Sequence, residues 1–307
     1  GMDDESRSNR LISVEPIHDL HRQLVEVGIC RADSLEEFHP RVRDRNDVAV
    51  LRCIDSGVLM LSRLDHIDAS YYDGPDPVSV LAGLEDVMDH QSSVDAKRRG
   101  GVLAPHLEGR RWLDIGTGGG GILHLLRGLP SQLCGVEPNT ECRTRLISDG
   151  FDVRASMADF ADSTFDVVTM FHVFEHLVDP LGFLAQLREI MEPGSMLVIE
   201  VPSGRDILLN QLDLEEFKDF SLWSQHLVLH TRESLASMLD HAGFAEINVR
   251  GIQRYSVGNH LHWLRYRQPG GHVRWEAFSG EPLASSYEGA LALMDANDTL
   301  FATAIVR

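Results

Sequence analysis

Residues 112 to 121 read Trp-Leu-Asp-Ile-Gly-Thr-Gly-Gly-Gly-Gly. An apolar run that carries one acid and then breaks into glycines is a strand leaving a sheet through a tight turn. The glycines allow backbone angles closed to other residues, and they let a ligand approach where a Cβ would collide. A helix is predicted to start near Ile122, so its N-terminal amides would face the same ligand. This is a nucleotide-cofactor turn. Gly116, Gly118 and Gly121 also satisfy G-x-G-x-x-G, so a nicotinamide or flavin site is one reading. Asp114 argues for another, because a carboxylate two residues before the first glycine suits a cationic group and repels a pyrophosphate.

The rest of the chain alternates in the same way. Strands are predicted at 111–115, 133–137, 151–155, 165–170, 196–201, 245–249 and 299–306, and helices at 119–127, 141–148, 181–191 and from Thr231 to just before Gly243. Apolar runs separated by helices predict an α/β fold, a Rossmann-like doubly wound sheet of seven mostly parallel strands. Ligands in such sheets sit at the carboxyl ends of the strands. About twenty residues after Gly116 the second strand ends on Glu137, whose two oxygens can clamp a ribose diol in either cofactor class.

The order Asp114/Gly116/Gly118, Glu137, Asp159-Phe160, Phe165-Asp166 through Glu175-His176-Leu177, and Pro193-Gly194 resembles the class I S-adenosylmethionine-dependent methyltransferases over about residues 98 to 250. That resemblance implies S-adenosylmethionine as cofactor and S-adenosylhomocysteine as product. Asp114 would then face the amino end, and Gly116, Thr117, Gly118 and Gly120 the methionine portion. Glu137, followed by Pro138, would take the ribose, and Asp159 and Phe160 the adenine. Phe171 and His172 would lie near the transferring methyl. Arg99 would meet the cofactor carboxylate or stand in solvent.

Two connections are long for this fold. Residues 203–230 and 253–297 are expected as lids or substrate walls on the methyltransferase domain, 96–307. They carry Trp223, Gln225, Arg254, Tyr255, Asn259 and His260 as candidate acceptor contacts. Together with 268–272 and 297–299 they resemble a methyltransferase subgroup of bacterial surface-sugar and polysaccharide biosynthesis. The formal charge of −19 opposes long nucleic acid, yet from Ile247 to Trp275 there is no Asp or Glu while five arginines occur. Those arginines either pair with acids elsewhere or hold a small anionic acceptor such as a nucleotide-sugar.

Methyl transfer to a hydroxyl needs a base, and His226, His176 and His230 are the candidates, His226 first. No metal is assigned. An alternative reading has His172, Glu175 and His176, with His226 or His230, as a divalent-metal site for O-methylation, resembling the clusters of small-RNA 3′-end and ubiquinone-pathway methyltransferases, although His172 stands where those carry an acid. A cofactor-binding scaffold without turnover is the non-enzymatic alternative, and a dehydrogenase the remaining one.

Residues 1–95 form an accessory segment that resembles a zinc knuckle lacking its ligands: Cys30 and Cys53 are present, but Ser56 replaces the cysteine that would complete C-x-x-C. Cys134 and Cys142 stand apart, which predicts reduced thiols. Tyr71 and Tyr72 would pack in the core or close over the cofactor. Gly1 before Met2 reads as a scar of tag removal. With no run of membrane-spanning length, a soluble cytoplasmic protein acting on a small molecule is expected, and a homodimer is left open.

Overall fold

A computed structural model describes residues 10–11, 15–67 and 85–307. Tyr71 and Tyr72 lie outside the described residues. The main sheet is built by β5 (Arg111–Ile115), β6 (Gln132–Val136), β7 (Asp152–Arg154), β8 (Phe165–Phe171), β9 (Met191–Pro202), β11 (Phe244–Ile252) and β12 (Thr299–Val306). Its order is β11-β12-β9-β8-β5-β6-β7, parallel except at β12, which pairs antiparallel with both β9 and β11. The order reverses between β5 and β8, where Leu113 pairs with Val168 in register. That switch places the glycine turn after β5 beside the end of β8, the position where open α/β sheets bind ligands.

Helices α2 (Glu85–Leu107), α3 (Gly121–Leu126), α4 (Thr140–Ser148), α5 (Pro180–Glu189) and α7 (Arg232–His241) cover the sheet. The two sheet faces bury different sets. Leu113, Met170, Leu197 and Ile199 join Leu184, Leu187 and Leu235 on one side, while Trp112, Val167 and Val198 join Leu103, Leu123 and Leu146 on the other. Strands buried on both faces read as continuous apolar runs, and for that reason their positions were visible in the sequence. The helix starts also follow local chemistry. Asn139 accepts from the Cys142 amide at the head of α4, and Thr231 with Ser234 forms a reciprocal capping box at the head of α7. The fifth strand departs from expectation by starting five residues early: β9 runs from Met191, with Phe165 paired to Met191 and a bulge before Val167.

A second, five-stranded sheet has the order β1-β2-β3-β4-β10, from Arg10–Leu11, Leu35–His39, Val50–Cys53, Leu59–Leu61 and Val228–Leu229. Its last strand comes from the 203–230 connection, with Val228 paired to Met60 and Leu229 to Leu59. Leu20 and Leu24 of α1 (Asp19–Glu26) pack with Leu51, Leu61, Leu222, Leu227 and Met238 in one core. The accessory segment and that connection are thus one packed unit. In it Cys30 Sγ lies 3.8 Å from Ser56 Oγ, and Ser34 Oγ 3.4 Å from Cys53 Sγ, so the knuckle positions converge with two hydroxyls among them. All four cysteines are free thiols.

Between β11 and β12 stand α8 (Val257–Tyr266), α9 (Gly271–Arg274) and α10 (Leu283–Leu293), while α6 (Glu215–Ser221) precedes β10. Both long connections leave the carboxyl edge of the sheet. No helix among the described residues is long and apolar enough to cross a membrane.

Candidate active site

The turn after β5 is fixed by its backbone. Gly116 has φ 75°, and a Cβ there would stand 2.3 Å from Val173 Cγ2; Gly118 has φ 52°, and a Cβ there would meet nothing within 4 Å. The first glycine lets the β8 end pack close, and the second leaves open space over the turn. Glu137 closes the far side. It is 7% exposed, and its carboxylate accepts from the Gly118 amide at 2.6 Å and the Asn139 amide at 2.9 Å. Each oxygen keeps a further lone pair side for a ribose hydroxyl. Thr117 Oγ1 is buried without a partner, a polar atom at the turn with bonding capacity unused. Pro138 is exposed beside it. These residues fit an adenosyl cofactor.

Asp114 lies at the strand end, 2% exposed, accepting from Thr169 Oγ1 at 2.5 Å, while Trp112 Nε1 donates to the same hydroxyl at 2.9 Å. Burial raises its pKa to about 7, opposed by the Thr169 bond and the charge of Arg99. A cationic ligand group at this carboxylate would therefore stabilise its ionised form.

Arg99 is not in solvent. It donates from Nη2 to Glu200 Oε1 at 2.5 Å, and its guanidinium lies 4.5 Å from the centre of the Phe171 ring. Glu200, fully buried near the end of β9, also receives both Nη groups of Arg98 at 2.9 and 3.0 Å. Despite its burial, His172 and these arginines hold its carboxyl well below the usual range. Glu200 was not among the residues expected at the site, although an acid inside the run Met-Leu-Val-Ile-Glu-Val-Pro was its signal.

His172 leaves β8 in the left-handed region, φ 56°, with its amide bonded to the Glu200 carbonyl at 2.8 Å. Its Nδ1 lies 3.2 Å from Glu175 Oε1 and its Nε2 3.3 Å from Glu200 Oε1, so the ring stands between two buried carboxylates. His176 ends the short 3-10 turn Phe174–His176 and donates from Nδ1 to the Gln225 carbonyl at 2.8 Å. A carbonyl only accepts, so Nδ1 carries a proton, and in the neutral ring the lone pair would be on Nε2, 3.8 Å from Glu175 Oε1. The His226 ring meets that of His176 edge-on at 5.2 Å. Burial and neighbouring His176 depress His226 to about 3. Glu175 Oε2 is buried with no hydrogen-bond partner.

Other expected residues lie elsewhere. His230 is fully buried, its Nδ1 3.0 Å from Ser234 Oγ at the start of α7, and its pKa falls to about 4 on burial. Phe160 is 1% exposed in the main core, edge-on to Phe165, and Asp159 uses Oδ2 to cap its own turn at the Ser156 amide. Arg254 is bound to Asp95, Arg250 lies over Phe301, and Arg265 and Arg274 both lie over Tyr266. His260 Nδ1 is 2.6 Å from the Tyr287 hydroxyl, and Asn259 is buried against α9 through Gly271. Tyr255 is 38% exposed and packs against the Arg254 guanidinium at 5.6 Å. Trp223 faces Arg43 of the accessory segment at 4.7 Å. Helix packing and ion pairing thus engage these side chains with protein partners, Arg254 through an Asp95 that Arg98 links to Glu200.

A doubly wound sheet with a glycine turn at its switch point, a ribose-type acid after the second strand and a histidine and carboxylate cluster after the fourth defines a nucleotide-cofactor transferase. Residues 88–249, just over half of the chain, match the family model described as a methyltransferase domain, and the protein belongs to that family. The chain thus carries a methyltransferase domain, of the S-adenosylmethionine-dependent kind. Among curated proteins it is similar to the ubiquinone biosynthesis O-methyltransferases of Burkholderia ambifaria, 31% identical over 99 residues, and of Cereibacter sphaeroides, 32% over 100 residues. These matches cover 29% and 30% of this chain and only 43% and 40% of the relatives. Among solved structures, the plantazolicin methyltransferase BamL, in complex with a triazolic desmethylPZN analog and S-adenosylhomocysteine, shares the fold. Its TM-score is 0.50 at 15% identity, over 77% of this chain and 93% of that one.

Proposed function

We propose that the protein transfers the methyl group of S-adenosylmethionine to a hydroxyl oxygen of a small acceptor lying against His176 and His226. The observation that carries this reading is the cluster of Glu175, His176 and His226, whose ligating atoms all lie within 4.8 Å of one another. The cofactor supplies an electrophilic methyl on a sulfonium. The protein must align the oxygen with it and accept the hydroxyl proton. His176 Nε2 is the base in this reading: Gln225 fixes the tautomer, and Glu175 stands close enough to stabilise the imidazolium. His226, held to about 3, is neutral at physiological pH and a poor proton acceptor, so it orients the acceptor.

The names of the similar O-methyltransferases support oxygen as the accepting atom. An anionic nucleotide-sugar of a surface-polysaccharide pathway, acted on in the cytoplasm, remains an acceptor to be screened beside uncharged phenols and alcohols. Labelled S-adenosylmethionine with such a panel tests the reading: methyl ether formation that is lost in His176→Gln supports it, and transfer to nitrogen or carbon alone refutes it.

The same cluster favours a second reading. Glu175 Oε2 is buried and unpartnered, and two imidazoles with one carboxylate suit a divalent first-row metal. Such an ion would lower the pKa of a bound hydroxyl. Turnover abolished by chelation and restored by one added metal selects this reading over the metal-free base.

A further inference from the structure

We infer that Asp44, in the accessory segment, is the positioning residue that sets the histidine cluster for methyl transfer. The inference rests on the proposed role of His176. Residues 223–227 form a short span stretched between two supports. On one side Gln225 gives its carbonyl to His176 Nδ1 at 2.8 Å, and the Leu227 amide donates to the Glu175 carbonyl at 2.9 Å. These bonds decide which ring nitrogen of His176 carries the proton and where Glu175 stands. On the other side everything comes from the accessory segment.

Asp44 takes hold of Ser224 twice, its Oδ1 accepting from the backbone amide at 3.0 Å and its Oδ2 from the hydroxyl at 2.5 Å. His66 Nε2 donates to the Ser224 carbonyl at 2.8 Å. The Leu61 amide donates to the Leu227 carbonyl at 3.1 Å, and the Arg43 amide to the Leu222 carbonyl at 2.8 Å. Ser224 itself is 1% exposed. Among these supports, only the Asp44 carboxylate bonds both the backbone and the side chain of one residue. This two-point grip fixes Ser224, the His66 bond holds the carbonyl of the peptide plane that follows, and the Gln225 carbonyl lies in the next plane along. Removing the carboxylate leaves the buried Ser224 amide without its acceptor, so the span must rotate to find another. The Gln225 carbonyl rotates with it, and His176 loses the bond that fixes its tautomer.

The test compares Asp44→Ala, Asp44→Asn and Ser224→Ala in the full chain, with kcat expressed per S-adenosylhomocysteine-binding site measured by calorimetry. Misplacement on the scale of an ångström costs about 10–100-fold in rate, so Asp44→Ala should lose about that factor in kcat with the KM for cofactor within about twofold. Asn can accept from the Ser224 amide and donate to its hydroxyl, so Asp44→Asn should recover most of the loss. Ser224→Ala, which keeps the amide bond, should lose less than Asp44→Ala, and it serves if Asp44→Ala does not fold. Nitrogen-15 histidine spectra provide a readout without turnover: His176 should be the Nδ1–H tautomer in the wild type and a mixture in Asp44→Ala. A wild-type rate per site in Asp44→Ala, or an unchanged His176 tautomer, overturns the inference. A wild type that transfers no methyl to any hydroxyl refutes the proposed function, and the tautomer measurement still decides the positioning role.

Discussion

Arg254 and Asp95 form a closed ion pair across the mouth of the sheet, with Nη2 2.5 Å from Oδ2 and Nε 3.1 Å from the same oxygen. Their side chains are 17% and 3% exposed, so the pair is largely withdrawn from water. Removing Arg254 takes from the buried Asp95 one of its guanidinium partners and leaves it Arg98, whose Nη2 lies 3.0 Å from Oδ1. Arg254→Ala should therefore destabilise the protein by about 1.5–3 kcal/mol in urea unfolding, the range of a charged hydrogen bond, while an acceptor-binding arginine would leave stability nearly unchanged and raise the acceptor KM.

Glu137→Ala should abolish or greatly weaken S-adenosylhomocysteine binding. Charged hydrogen bonds contribute about 1.5–3 kcal/mol each, so two to ribose hydroxyls correspond to at least about a hundredfold in affinity. Calorimetry on folded variant and wild type checks this, and equal affinities would remove Glu137 from the ribose site.

Cofactor affinity should rise with pH through about 7. Asp114 is raised to about 7 by burial, so below that pH it is mostly protonated and offers no charge to the amino end of the cofactor. Binding would then release a proton, and affinity should grow from pH 6 to pH 8 and level off. Asp114→Asn should flatten that profile.

Stability should carry a separate signature from Asp206, 7% exposed and raised to about 8 by burial and by the charge of Asp298. Its folded pKa exceeds its unfolded value, so the folded state binds more protons between about pH 4 and 8, and this group's contribution to stability declines as pH rises through that window. Asp206→Asn should remove the decline, measured as the pH dependence of the urea midpoint, because the amide oxygen can still accept from the Leu208 amide now bonded at 2.7 Å.

The methyltransferase half of the fold was readable because β5, β8 and the Met196–Val201 part of β9 are mostly buried apolar runs punctuated by glycine or a capping residue, and those signals are local. The place of Glu137 and Asp114 beside the glycine turn was readable because they stand at or just past the ends of the two paired strands that flank it. The acceptor side was not. Val228 and Leu229 look like any apolar pair, and only the edge offered by Leu59–Leu61 makes them a strand. Arg254, His260 and Phe160 were expected to face ligands from their positions along the chain, but side-chain direction is set by partners distant in sequence: Asp95, Tyr287 and Phe165.

The pairing of β4 with β10 also bears on how an enzyme of this type can diversify. The glycine turn proposed for the cofactor follows a strand of the main sheet, whereas the span carrying Gln225 and His226 is stitched to the accessory segment. On the proposed function, exchange of loops or residues in that segment would retune which molecule is modified while leaving the methyl donor's seat untouched. Such an arrangement lets selection explore new chemistry at one end of the protein without risking the function common to all its descendants.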